Sequence, residues 1–153
     1  MQDQQHPIAE ARARCFDTRQ AIMALYANYF RNLKQVGESY DHDELEAKAD
    51  NANMDSQNHL QEALRIRTNP VLYNRPMGDR NAEQERDAAL SRIEEIDQQI
   101  DWVREKLYDA ESKMDQSLAG TYHADNIEIL KEIERQYKKL QRREQALAEL
   151  FSG

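Results

Sequence analysis

A strict alternation of four and three organises the stretch Ala82, Arg86, Ala89, Ile93, Ile96, Ile100, Val103, Leu107, Ala110, Met114 and Ser117. An α-helix brings positions spaced this way onto one narrow stripe, and such a stripe is stable only when another helix covers it. The spacing predicts a helix over 80–119, about 60 Å long at 1.5 Å per residue. Leu130, Ile133, Tyr137, Leu140, Glu144, Leu147 and Phe151 repeat the spacing, which predicts a second seam on a helix over 126–151. Between them lies Gly120-Thr-Tyr-His-Ala-Asp125, and Asp125 with Glu128 has the spacing of a capping box. A short link between two seams implies an antiparallel coiled-coil hairpin. Its arms are expected to be unequal, with the start of the longer helix left for the first helices or another chain to cover.

Glycine and proline divide the rest. They cost about 1 and 3 kcal/mol relative to alanine inside a helix, and the four glycines and three prolines all fall between or after the periodic segments. Two further helices are thereby predicted, over 7–36 and 41–68. On the first, Ile8, Cys15, Ile22, Tyr29 and Val36 recur every seven residues beside Leu25, Tyr26, Leu33, Phe16, Met23 and Phe30. That face is too broad for one neighbour, so this helix is expected to touch at least two. On the second, Leu45, Ala49, Ala52, Ser56, His59, Ala63 and Ile66 form a seam of mostly small residues. Asp41 or Asp43 can cap its start. The expected fold is all-α with four helices: an N-terminal hairpin over 1–68, an extended linker over 69–79, and a coiled-coil hairpin over 80–153. The two hairpins can equally pack as a single helical domain.

Composition narrows the function. The longest apolar run, Ala21 to Ala27, has seven residues, too few to span a bilayer, so no membrane association is expected. The first residues have neither a basic nor an apolar region of the signal-peptide kind. The single cysteine, Cys15, lies on the apolar face of its helix and reads as a buried structural thiol. A cytoplasmic setting, or a particle assembled there, follows as the expectation. A net charge of -8 disfavours nucleic acid as a partner of the whole chain.

No metal or other cofactor is expected. A di-iron bundle needs Glu-x-x-His pairs on two helices, whereas here His59 precedes Glu62 in the reverse order, once. Asp41-His42-Asp43-Glu44 sits at a helix start, where acids are expected anyway, and His6 and His123 have no company at ligand spacing. There is no phosphate loop and no nucleophile elbow.

Two places stand out as partner-binding candidates. The linker Thr68-Asn-Pro-Val-Leu-Tyr-Asn-Arg-Pro-Met-Gly-Asp79 puts Val71, Leu72, Tyr73, Arg75 and Met77 in a loop of an otherwise polar chain. Either they plug the end of the bundle or they await a partner. Trp102 and Tyr108 fall off the seam among Asp87, Glu94, Glu95, Asp101, Asp109 and Asp115. A tryptophan so placed either packs beneath the first helices or serves as a binding hot spot.

Charge adds a third. Residues 37–62, with Asp41, Asp43, Glu44, Glu46 and Asp50 among their acids, total -7, and residues 81–119 total -6. Lys131, Arg135, Lys138 and Arg142 form a basic stripe on the last helix. Solvated faces explain both; electrostatic contact with a partner is the functional reading. The expected function is non-enzymatic protein–protein interaction by an assembly, adaptor or structural component, as in a viral particle or other multi-subunit complex, with a protein partner or a homo-oligomer. The alternative is an acidic inhibitor that mimics nucleic acid in a basic cleft.

Overall fold

Pro7 opens the first helix at a position where its missing N–H costs nothing. The computed structural model describes residues 5–36, 41–114 and 120–152. They form α1 (Pro7–Leu33), α2 (His42–Thr68), α3 (Pro70–Tyr73), α4 (Ala82–Met114) and α5 (Gly120–Leu150), with no strand among them.

The helix count and several boundaries differ from the sequence expectation. Four helices were expected and five are found, because Pro70 starts one short turn of helix, α3, inside the linker expected to be extended. The last helix begins at Gly120 rather than 126, which puts Asp125 and Glu128 in its second and third turns instead of at a cap. Among the described residues α4 has 33 residues and α5 has 31, so the expected inequality of the two arms is not seen there. The first helix closes at Leu33, and 34–36 continue as single turns, with Gln35 and Val36 donating to the carbonyls of Asn32 and Leu33. Gly37, Asp115 and Ser117 lie outside the described residues, as does the segment 115–119.

Local chemistry fixes the ends. Asp41 caps α2, its Oδ1 accepting from the N–H groups of Asp43 (3.0 Å) and Glu44 (3.2 Å). Before α4, Asn81 and Gln84 form a reciprocal capping box: each side-chain oxygen accepts from the other's backbone N–H, at 2.8 and 2.9 Å. His6 gives α1 no side-chain cap. The cap comes instead from Asn74, just beyond α3, whose Oδ1 accepts from Ile8 (2.9 Å) and Ala9 (3.2 Å). Gly78 alone among the described residues has a positive φ, +60°, and so turns the chain toward α4 in a conformation other residues rarely adopt.

The long helices pack side by side in the order α2, α1, α5, α4. Each neighbouring pair is antiparallel, because contacts rise in number on one helix as they fall on the other. Gln20 meets Ser56 while Arg67 meets Asp17; Arg19 meets Glu144 while Asn32 meets Asn126; Arg92 meets Glu144 while Arg104 meets Glu134. The broad face of α1 is thus covered from two sides. Among the described residues, no Cα of α2 lies within 8 Å of α4, nor any of α1 within 8 Å of α4. Side chains close the second gap. Trp102 of α4 packs 6.0 Å from the ring of Tyr26 and 6.4 Å from that of Tyr29.

The seams carry the core. Leu130, Ile133, Tyr137, Leu140, Leu147 and Phe151 are all buried, as are Ala89, Ile96, Ile100, Val103 and Ala110 opposite. At roughly 1.5–3 kcal/mol for each fully buried large apolar side chain, these stripes hold the helices together. One apolar cluster draws on α1, α2, α4 and α5 together. The start of α4 rests on α1, where Arg12 donates to the buried carboxylate of Glu85, which Arg80 also engages.

Candidate functional site

The linker separates into a structural part and an exposed part. Tyr73 is half-buried against the small cluster of Ala9, Ala13 and Ile66. Its carbonyl accepts from Arg12 Nε at 3.2 Å, and the carbonyl of Arg75 accepts from Arg12 Nη2 at 2.9 Å. Met77 is half-buried, while the side chain of Arg75 faces solvent. Val71 and Leu72 are different: they are 72% and 45% exposed. Met54, Leu60 and Leu64 of α2 are exposed too, so five large apolar side chains of α2 and α3 face water. Pairing by the helices themselves gives these residues nothing to cover.

Trp102 and Tyr108 part company. Trp102 is half-buried in the aromatic group with Tyr26 and Tyr29, and the Lys106 ammonium lies 5.6 Å from its ring centre. Tyr108 is 71% exposed.

The charged candidates are mostly engaged within the chain. Asp41 is the cap of α2, Glu44 pairs with Lys48, and Glu46 pairs with Lys34. The Lys34 contact holds the Glu46 carboxyl below the usual carboxylate range. Asp43 and Asp50 are exposed. On α5, Lys131, Arg135 and Lys138 pair with Glu128, Glu132 and Glu134 one turn away, at 3.9, 2.6 and 3.9 Å. Arg142 is exposed, whereas its neighbour Arg143 turns inward to the carbonyl of Arg14 and the hydroxyl of Thr18, both at 2.8 Å.

A buried ionic centre was not legible as such from the seam. Glu144 is fully buried, and it accepts from Arg19 Nη2 of α1 (2.5 Å) and Arg92 Nε of α4 (2.7 Å). One carboxylate therefore ties three helices together. Cys15 lies beside it, and burial, with Glu144 adding to the effect, pushes the thiol up to about 12. A thiol raised that far stays protonated at neutral pH, the form that buried structural cysteines hold. Across the same core the hydroxyls of Tyr26 and Tyr137 share a hydrogen bond at 3.0 Å, and burial raises both phenols above their ordinary range.

Between α2 and α4 runs an open cleft floored mainly by α1. Its cavities follow one another along that helix. The first, of 330 Å³, lies by Cys15, Phe16 and His59; the next, of 530 Å³, by Tyr26, Ala52 and Trp102; the last, of 240 Å³, by Leu33, Lys106 and Lys113. The cleft holds no grouping for metal chemistry: among the described residues, no three His, Cys, Asp or Glu side chains come together as ligands. Nor is any helix there long and apolar enough to cross a membrane. Comparison with known proteins finds no family model, no curated protein and no solved structure that matches the chain.

Proposed function

We propose that this chain is a non-enzymatic helical interaction protein, an adaptor or structural component of a larger assembly, in which α4 and α5 form a coiled-coil-like rod. The observation that carries this reading is the exposure of Val71 and Leu72 on α3, next along the chain from Leu60 and Leu64 at the end of α2. The chain is strongly polar, with a mean hydropathy of -1.00, yet it leaves these side chains in water at one end of the bundle. Apolar side chains left uncovered in a short stretch mark an interaction surface. Asn74 and Tyr73 anchor the same segment to α1, so the exposed pair is held on a fixed support.

The test is the double variant V71D/L72D, in tagged protein purified from its source at moderate salt. A protein partner that copurifies at fixed stoichiometry with the wild type is expected to be lost from the variant, with helix content by circular dichroism unchanged. Retention of the partner by the variant overturns the assignment of this surface. The competing reading, an acidic mimic of nucleic acid, is less well supported. Glu44, Glu46 and Glu62 of the acidic helix are spent on Lys48, Lys34 and Arg65 rather than displayed as a free anionic array.

A further inference from the structure

The 330 Å³ cavity beside Glu144 is built by all four long helices. Arg12, Cys15, Phe16 and Arg19 come from one face of α1, because positions three and four apart are neighbours on a helix surface. Arg92 enters from α4, Glu144 and Leu147 from α5, and His59 from α2. Apolar walls at Phe16 and Leu147 thus stand beside guanidinium groups that converge on one carboxylate. A concave site of this kind, mostly apolar with a few convergent polar groups, is the usual form of a small-molecule pocket.

The charges there do not balance. Glu144 is the one carboxylate in the lining, and two guanidinium groups share it, Arg19 through Nη2 and Arg92 through Nε. Arg12 is answered by Glu85, which takes Arg80 as well. Arg19 and Arg92 against Glu144 therefore leave one positive charge in excess. Their donors are in excess too. Among the described residues, Nε and Nη1 of Arg19 and both terminal nitrogens of Arg92 donate to no protein atom. A guanidinium fork matches a planar carboxylate, which it can hold through two parallel hydrogen bonds. Arg19 is also held in place: its guanidinium lies 4.8 Å from the centre of the Phe16 ring, which is 5.8 Å from the imidazole of His59. Burial first, and the Arg19 charge second, keep His59 below the ordinary imidazole range, so that charge is felt across the cavity despite Glu144. Lys106 and Lys113, at the far end of the cleft, carry charge without such a fork.

From this geometry we infer that the cavity binds a small organic acid as its carboxylate anion, with the carboxylate on the free donors of Arg19 and Arg92 and a compact apolar body against Phe16 and Leu147. One monoanion neutralises the excess charge beside Glu144. The site stands on the cavity alone and is independent of the surface at Val71 and Leu72.

The probe is benzoate, titrated against the isotope-labelled chain in low-chloride buffer and followed by NMR through the backbone amide and arginine Nε–H signals. Benzamidine supplies the same ring with a cation, benzyl alcohol the ring without charge, and inorganic phosphate an anion without a ring. Benzoate is expected to bind saturably, with a dissociation constant on the order of 1 mM for so small a ligand. It should shift the Nε–H signals of Arg19 and Arg92 together with the amides of Phe16 and His59. Benzamidine and benzyl alcohol should not bind, and phosphate should bind more weakly than benzoate. R92K keeps the charge but loses the fork, and should weaken benzoate by about tenfold. R19M/R92M/E144L, which removes every charge that meets at Glu144, should abolish binding at normal helix content, whereas K113E should bind like the wild type. No saturable shift, an equal response to benzamidine, or phosphate bound as tightly as benzoate each overturns the inference. So does a set of shifts centred on Lys106 and Lys113, an unaltered affinity in R92K, or binding retained by the folded triple variant.

Discussion

Replacing Glu144 by glutamine removes a charge from the place where three helices meet, while preserving the shape of the side chain. In the wild type its carboxylate takes hydrogen bonds from Arg19 and Arg92 and is fully shielded from water. Breaking a buried ion pair by removing one partner costs about 3–5 kcal/mol, because the remaining charge is left uncompensated. Here the arginine side chains keep 21% and 34% of their exposure and can turn partly to solvent, so the lower end, about 3 kcal/mol, applies to E144Q. With a urea m-value of about 2 kcal/mol/M, the unfolding midpoint should fall by about 1.5 M. Circular dichroism at 222 nm during urea titration measures it. The triple variant R19M/R92M/E144L supplies the contrast: with all three charges replaced by apolar groups of similar size, stability should return to within about 1 kcal/mol of the wild type or exceed it. An E144Q midpoint indistinguishable from wild type, or a triple variant as unstable as E144Q, would refute the reasoning. A second readout follows from burial: the enclosed Cys15 thiol meets a disulfide reagent only when the fold opens, so E144Q should speed its modification at fixed pH in step with the loss of stability.

Three other changes have defined outcomes. N74A removes the side-chain cap that α1 receives from the far side of α3, and should cost about 1 kcal/mol in chemical denaturation. Y26F strands the Tyr137 hydroxyl in the core and should cost about 1–3 kcal/mol, whereas Y26F/Y137F should cost less than the sum of the single variants. Burial, with Arg19 adding to it, holds His59 below the ordinary imidazole range, and burial with Lys113 does the same for His123. The folded protein therefore holds both neutral to a lower pH than the unfolded chain, which takes up protons below about pH 6.5. Their stabilisation is complete above that pH and is lost as the pH falls toward the depressed folded values. The melting temperature should accordingly drop between pH 7.5 and 5.5, and H59Q/H123Q should flatten that slope.

What the sequence made legible is what short-range periodicity encodes. The seam positions of the last helix, Leu130 through Phe151, are the buried ones, and Asp41 forms the cap expected of it. The start of α5 differs because Gly120 and the Asp125–Glu128 spacing both imitate a helix boundary, whereas the helix runs further back and buries His123 in its first turns. Asn81 and Gln84 could have been found, since their spacing is a capping box in plain view. The cap of α1 could not, because Asn74 lies 66 residues from Ile8 and only the folded chain brings them together. Glu144 was legible as a seam position but not as an ionic centre, because its partners come from two other helices. The same holds for the cleft. Lys48 and Lys106 read as ordinary surface charges until α2 and α4 face each other across the rings of Phe30 and Trp102.

Partner binding is tested most directly by the molar mass, from light scattering, of the tagged chain purified from its native source at moderate salt, with V71D/L72D run alongside. The expected result is a wild-type species heavier than 18.0 kDa that contains a second protein at fixed stoichiometry, and a variant that elutes alone. A wild-type chain that elutes at 18.0 kDa with nothing attached would contradict the proposed function.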